Sequence, residues 1–406
     1  MSPQTGKTVG LKDKFNIKSI RDLDVEGRRV LVRVDFNVPL DEAGKITDDT
    51  RIAATLPTIR YLLERGAKVI LMSHLGRPKG KVVEKLRMNE VARRLGEMLG
   101  REVQKVDDCV GPAVEEAVAR LRPGEVLLLE NLRFHPGEEA NDREFAKKLA
   151  SLADVYVNDA FGTAHRAHAS TAGVAEFLPA AAGFLMEKEV SALGRILTDP
   201  AHPFAAVLGG AKIADKIGVL ENLLGKVDQL LLGGGMANTF LRAEGYELGD
   251  SLVDEENVGF AREFLKRARA RGVAVELPVD LVISRDGAGE IRVVAPGEVP
   301  AGWRALDIGP RTTERFTQLI QKARTVFWNG PLGVFEREEF ARGSEAIARA
   351  LARPDLISVV GGGDTLAVLE KTGVIDQVTH ASTGGGASLE FLEGKELPGV
   401  AVLARS

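Results

Sequence analysis

GFLMEKEVSALGRIL, residues Gly183–Leu197, carries Leu185, Met186, Val190, Leu193 and Ile196/Leu197 at helical spacing, with Glu187, Lys188, Glu189 and Arg195 on the opposite face. The spacing predicts one helix, and the chain changes character on either side of it. Residues 1–182 contain 14 glycines and no run of three, whereas 30 follow from Gly183 onward, including the triplets Gly233–Gly235, Gly361–Gly363 and Gly384–Gly386. Four of the 6 histidines (His74, His135, His165, His168) precede the helix. The first half carries the side chains suited to holding an anion. The second carries the glycines that let backbone amides do so.

Both halves alternate short apolar, β-branched runs with amphipathic helical stretches. In the first, Arg29–Phe36, Lys68–Ser73, Glu102–Val106, Glu125–Glu130 and Asp154–Asn158 read as strands. In the second, Phe204–Leu208, Gln229–Leu232, Ala274–Glu276, Thr325–Trp328 and Ile357–Val360 do. Nearly continuous apolar strands separated by helices imply parallel sheets covered on both faces. The predicted fold class is α/β, as two doubly wound, Rossmann-like three-layer α/β/α domains. The expected division is an N-terminal domain over 1–182, the connecting helix over 183–197 and a C-terminal domain over 198–389. In the helix of Asp48–Arg65, Pro57 is expected either to kink the helix or to start its regular part. Residues 285–304 read as a hairpin excursion, and residues 1 to about 16 as a loose extension.

The chain has 406 residues, 44% of them hydrophobic and 28% charged, with a formal net charge of -4, which suits a chain of two to three globular domains. That charge argues against nucleic-acid or anionic-membrane partners. No apolar run reaches the ~18 residues of a membrane span, and the N-terminus lacks a signal core. A cytoplasmic protein is expected. Cys109 is the single cysteine, so intrachain disulfides and cysteine-cluster zinc sites are excluded, and it reads as a small buried hydrophobe.

In open α/β sheets ligands sit outside the carboxyl ends of strands. In the first half those ends carry Asp35-Phe36-Asn37, His74-Leu75-Gly76-Arg77, Glu130–Phe134 and Asn158–His168, while Arg51 sits at a helix entrance. Each cluster alone has a bland explanation as a turn cap or a solvated surface charge. Together, Arg33, Arg51, Arg77, Arg133 and Arg166 would repel one another without an anion between them, so a small polyanion is expected. Strand ends of the second half carry Gly209-Gly210-Ala211-Lys212, Gly233–Gly235, Asn329–Glu336 and Gly361–Thr365. Glycine lets phosphate approach a helix N-terminus. Asp364 beside a phosphate calls for a cation, with Mg²⁺ the natural one. Walker, G-x-G-x-x-G and protein-kinase motifs are absent. Two ligands on two hinged domains point to phosphoryl transfer. A nicotinamide-dependent oxidoreductase is the alternative enzyme, and a non-catalytic binding protein a second.

RVDFNVP (33–39), SHLGRP (73–78), ENLRF (130–134), NDAFGTAHRAHAS (158–170), GFLMEKE (183–189), GGAKIADKI (209–217), GGGMANTFL (233–241), WNGPLGVFE (328–336), GGGDT (361–365) and STGGGASLE (382–390) together resemble phosphoglycerate kinase, in order and at family spacing. The resemblance implies the reaction 1,3-bisphosphoglycerate + ADP ⇌ 3-phosphoglycerate + ATP with Mg²⁺, in glycolysis, by domain closure. It implies a glycerate ligand bound by Asp35, Phe36, Asn37, Arg51, His74, Leu75, Gly76, Arg77, Arg133 and Arg166. It places the nucleotide at Lys212, Glu336, Gly362, Gly363, Asp364 and Thr365, with Asp364 toward the magnesium. Arg51, Lys212 and Gly385 are the implied catalytic residues. A monomer is implied, as is a C-terminal tail, about 390–406, that completes the N-terminal domain.

Overall fold

The computed structural model describes residues 15–285 and 289–405. The chain forms two compact units, one running to Gly194 and resuming at Glu396, the other Arg195–Lys395.

In the first unit, β1 (Arg29–Arg33), β2 (Lys68–Met72), β3 (Gln104–Lys105), β4 (Val126–Leu128), β5 (Val155–Asn158) and β6 (Ala180–Ala182) form a six-stranded sheet in the order β3-β4-β2-β1-β5-β6. Every pair is parallel. Val30, Leu31 and Val32 of β1 are all fully buried, as strands covered on both faces require. Each such side chain contributes about 1.5–3 kcal/mol on burial. Connections run to one side of β1 through β4, then cross to β5 on the other. The switch point therefore lies at the carboxyl ends of β1 and β5.

The second unit repeats the plan. Here β7 (Phe204–Leu208), β8 (Gln229–Leu232), β9 (Ala274–Glu276), β13 (Thr325–Asn329), β14 (Ile357–Gly361) and β15 (His380–Ser382) pair in the order β15-β14-β13-β7-β8-β9, again all parallel. Its switch point lies at the ends of β7 and β13. Between β9 and β13, the strands β10 (Leu281–Arg285), β11 (Ile291–Val294) and β12 (Trp303–Ile308) form an antiparallel sheet in the order β11-β10-β12. The excursion expected over 285–304 is thus a three-stranded sheet rather than a hairpin. Residues 286–288 of it lie outside the described residues.

Other expectations need correction. Pro57 does not start its helix; it lies in the interior of a continuous helix over Thr50–Glu64. The strand expected over Glu102–Val106 shrinks to Gln104–Lys105. Residues 1–14 of the expected loose extension are outside the described residues. Asn16 and Ile17 are tied down, because Arg405 donates its backbone N–H to Asn16 O and Ile17 bridges to Ala404. The apolar tail packs within the same unit: Leu397, Val400 and Leu403 are buried, and Gly399 N–H reaches Ala164 O at 2.8 Å.

The Phe184–Thr198 helix buries Met186, Val190, Leu193, Ile196 and Leu197 of the predicted apolar face, leaves Leu185 half-buried, and also buries Glu189 of the face expected to be polar. Its first turn is capped from a distance. Asp159 Oδ1, at the end of β5, accepts from the backbone N–H of Leu185 (2.9 Å) and Met186 (3.2 Å). Burial raises the Asp159 carboxyl to about 7, against these hydrogen bonds and that of Thr58. The raised value has a stability consequence of definite sign. The folded protein keeps this proton at pH values where the unfolded chain has released it. Stability falls as pH rises from about 4 toward 7, by at most about 1.4 kcal/mol per pH unit. Asp159→Asn is expected to flatten that dependence. Thermal melts at pH 5 and pH 7.5 should show a smaller loss of Tm in the variant, and an equal loss would remove Asp159 as the cause. Asp307, raised to about 8 by burial, contributes its own slope in both proteins.

Candidate active site

The switch point of the first unit gathers most of the charged residues singled out in the sequence, but not all in one role. Arg33, expected among the anion-holding arginines, is fully buried and fully used. It donates to Ser170 Oγ (2.8 Å), Val34 O (2.6 Å) and His74 Nδ1 (3.0 Å), and lies 3.8 Å from the buried Glu138. Glu138 in turn accepts from Ser170 N–H (2.7 Å) and Ser170 Oγ–H (2.6 Å). Arg33 is therefore a structural cation with its counter-charge supplied by the chain. Because a guanidinium only donates, His74 Nδ1 must accept, and the ring proton sits on Nε2. Burial, followed by the charges of Arg33, Arg133 and Arg51, pushes the His74 imidazolium well below its ordinary range. His74 is thus a neutral donor at pH 7. His168, held down to about 4 chiefly by burial, is neutral as well.

Around this scaffold the ligand-facing groups are positioned by the backbone. Asp35 Oδ1 accepts from Asn37 N–H (3.0 Å), and Asn37 Oδ1 accepts from Gly76 N–H (2.8 Å). The loops after β1 and β2 are thereby locked together, fixing Phe36, Leu75 and Gly76. Arg51 donates to Asn37 O at 2.8 Å and lies 3.4 Å from Asp35, with its side chain still 42% exposed. Arg133 pairs with Glu139 at 3.2 Å, and its half-buried position lowers its pKa, with Arg33 the next cause. Arg77 and Arg166 are exposed, and no carboxylate among the described residues pairs with either. The site as built is cationic, oriented and open.

In the second unit the glycines divide into two kinds. Gly209 and Gly330 belong to the ends of β7 and β13, where Gly209 N–H reaches Asn329 O and Gly210 N–H reaches Pro331 O, both at 3.0 Å. A Cβ on Gly209 would overlap the Pro331 carbonyl. A Cβ on Gly233 would meet Leu332 at 2.6 Å, so this first residue of the triplet serves packing rather than a ligand. By contrast Gly363 and Gly385 have open space where a side chain would go. Gly362, at φ +96, needs to be glycine, and it starts the helix Gly363–Thr372. Thr365 is buried; its Oγ1 accepts from Gly330 N–H at 2.8 Å, joining that helix to the β13 loop.

These loops wall a cavity of about 730 Å³ that includes Gly210, Gly235, Pro331, Glu336 and Asp364. This volume falls in the range of ligand pockets. Glu336 and Asp364 are exposed on its wall, and Lys212 is exposed just after the β7 loop. Lys216, one turn further on, is a cation that the sequence did not single out. It is buried, donates to Asn329 Oδ1, and burial lowers its pKa. Nothing local in GGAKIADK separates the two lysines. Only the position of Asn329, more than a hundred residues away, does.

A parallel doubly wound sheet in each unit, with cations at one switch point and glycine backbone at the other, defines a two-domain α/β protein suited to two anionic ligands. The comparisons narrow this. The family model for phosphoglycerate kinase matches residues 20–395. The phosphoglycerate kinase of Moorella thermoacetica is 62% identical over 387 residues, covering 95% of this chain and 98% of its own. That of a Roseiflexus species is 60% identical over 390 residues, covering 95% and 98%. Among solved structures, phosphoglycerate kinase from Coxiella burnetii superposes with a TM-score of 0.90 at 44% identity, over 96% of this chain and 100% of that one. The Pyrococcus horikoshii enzyme gives 0.82 at 38%, over 95% and 98%. The chain belongs to the phosphoglycerate kinase family, whose activity is a phosphotransfer with a carboxyl group as acceptor, in glycolysis. The nicotinamide alternative falls. Among the described residues no helix is long and apolar enough to cross a membrane.

Proposed function

We propose that the first unit holds the glycerate ligand, the second holds the nucleotide, and a phosphoryl group passes between 1,3-bisphosphoglycerate and ADP to give 3-phosphoglycerate and ATP. The observation that supports this reading is the contrast between the two units, with Arg77 and Arg166 free of carboxylate partners among the described residues of one and open glycine backbone at Gly363 and Gly385 in the other. Arg77, Arg133 and Arg166 bind the non-transferring phosphate, leaving the carboxyl end toward the group in transfer. Asp35 and Asn37 take the hydroxyl, beside the loops that carry Phe36, Leu75 and Gly76, and neutral His74 donates from Nε2. Arg51 and Lys212 stabilise the group in transfer, with the amides around Gly385 at its edge. The backbone at Gly362, Gly363 and Thr365 receives the nucleotide phosphates at a helix N-terminus, Lys216 adds charge there, and Glu336 takes the ribose.

Asp364 suits a Mg²⁺ site: a carboxylate in the first turn of a phosphate-binding helix repels its ligand unless a cation is present. Mg²⁺ held there with the nucleotide would neutralise phosphate charge. No protein nucleophile is required, since alignment and charge neutralisation suffice for this transfer. Domain closure about residues 183–197, action as a monomer and a cytoplasmic location belong to the same reading.

The test is the initial rate of ATP formation from 1,3-bisphosphoglycerate and ADP with and without Mg²⁺. Mg²⁺-dependent turnover is expected. A folded protein that binds both ligands without turnover would instead be a non-catalytic member of the family.

A further inference from the structure

Away from both switch points, Asp108, Cys109 and His135 converge in the first unit, with one carboxylate oxygen, the thiol sulfur and one ring nitrogen all within 4.8 Å of one another. They come from separate parts of the chain. Asp108 and Cys109 follow β3, and His135 closes the turn after Glu130–Phe134. The thiol is fully buried. Asp108 and His135 stand partly in solvent above it, with His135 Nε2 at 2.6 Å from Asp108 Oδ1. We infer that Asp108, Cys109 and His135 form a binding site for a single zinc-like divalent cation.

Each group is already oriented. The Cys109 backbone N–H donates to Asp108 Oδ1 at 2.8 Å, which fixes the carboxylate beside the thiol. The His135 ring is stacked on Phe145, with centroids 5.2 Å apart and planes 29° from parallel. Thiolate, imidazole and carboxylate together select zinc-type ions over Mg²⁺ or Ca²⁺, which prefer oxygen alone. With bonds of about 2.0–2.3 Å, tetrahedral ligand atoms lie roughly 3.3–3.8 Å apart. The Asp108–His135 contact at 2.6 Å must therefore open by about 0.7–1.2 Å, and separations that now reach up to 4.8 Å must close to that range. Asp108 is exposed, so that movement disturbs no packing. Three protein ligands leave the fourth position to water on the solvent side.

On binding, the S–H bond breaks, a sulfur–metal bond forms and the proton leaves to buffer. The remaining charges nearby are already committed. Glu130 is held by Arg87 and Lys105, and Glu138 by Ser170 near Arg33. None of them competes as a ligand.

Co²⁺ is the direct probe. Chelator-treated full-length protein titrated with Co²⁺ should show tetrahedral d–d bands and a thiolate-to-cobalt charge-transfer band, saturating at one equivalent. The chain has a single cysteine, so that band can arise only at Cys109. Zn²⁺ should displace the Co²⁺ and raise Tm by several degrees at a hundredfold excess over Kd. Cys109→Ser should abolish the charge-transfer band, and His135→Gln should weaken Zn²⁺ binding by about 100-fold or more, beyond what loss of an outer-shell partner costs. Circular dichroism establishes that both variants fold. An octahedral Co²⁺ spectrum without the charge-transfer band in folded wild type would overturn the site, as would Zn²⁺ affinity unchanged in either variant.

Discussion

Arg51→Ala is expected to lower kcat by about 10³-fold or more while KM for the glycerate ligand changes little, as for other arginines that stabilise a transferring phosphoryl group. The geometry explains why the two parameters should separate. Arg77, Arg133 and Arg166 remain to hold the ground-state anion. Arg51 is aimed by the Asn37 carbonyl and Asp35 yet keeps its side chain 42% exposed. It is oriented before any substrate arrives, which is the condition for an electrostatic contribution that costs no reorganisation in the transition state. Its helix Thr50–Glu64 is anchored by buried Ile52, Ile59 and Leu62, so truncation beyond Cβ should leave the fold intact. Steady-state kinetics on the folded variant decide the matter. An unchanged kcat would reduce Arg51 to a surface group.

Lys212→Ala should cut kcat by at least about 10²-fold, with a smaller change in nucleotide KM. Lys212 is exposed and forms no ion pair among the described residues, so its charge is not consumed by the chain. Lys216, four residues later, is the internal control. It is buried against Asn329 at the junction of β7 and β13, and its truncation removes a packed cation as well as charge. Lys216→Ala is the variant in which affinity and stability should suffer together. A Lys212→Ala defect confined to nucleotide KM would assign that lysine to ground-state binding alone.

The doubly wound α/β class was readable because its signal is local. Runs such as Val30–Val32 and Leu230–Leu232 are apolar at every position, and only strands covered on both faces require that. The Gly183–Leu197 periodicity likewise sufficed for its helix. What failed lacked an internal pattern. Ala180–Ala182 and His380–Ser382 contain no β-branched run and become strands because β5 and β14 offer an edge to pair with. Pro57 lies inside Thr50–Glu64 rather than at its start, because packing of the rest of the helix outweighs one lost hydrogen bond.

The candidate site divides in the same way. Asp35, Asn37, Arg51, His74 and Arg133 all lie at β-strand ends or helix entrances that the strand–helix rhythm had located, and the structure brings them together. Which arginine faces a ligand and which serves the fold was beyond the sequence. Arg33 ends a buried strand, and Glu138 and Ser170, more than a hundred residues on, neutralise it, whereas Arg77 sits exposed in a loop. Lys212 and Lys216 are separated by Asn329 alone, and Cys109 gains its companions from His135. By itself the sequence determined the elements, the class of fold and the residues able to do the chemistry, because periodicity and motif spacing are written along the chain. Only the tertiary structure decided what each charge is for. Burial and counter-charge come from residues distant in sequence, and these set whether a cation is spent on the protein or left for a substrate.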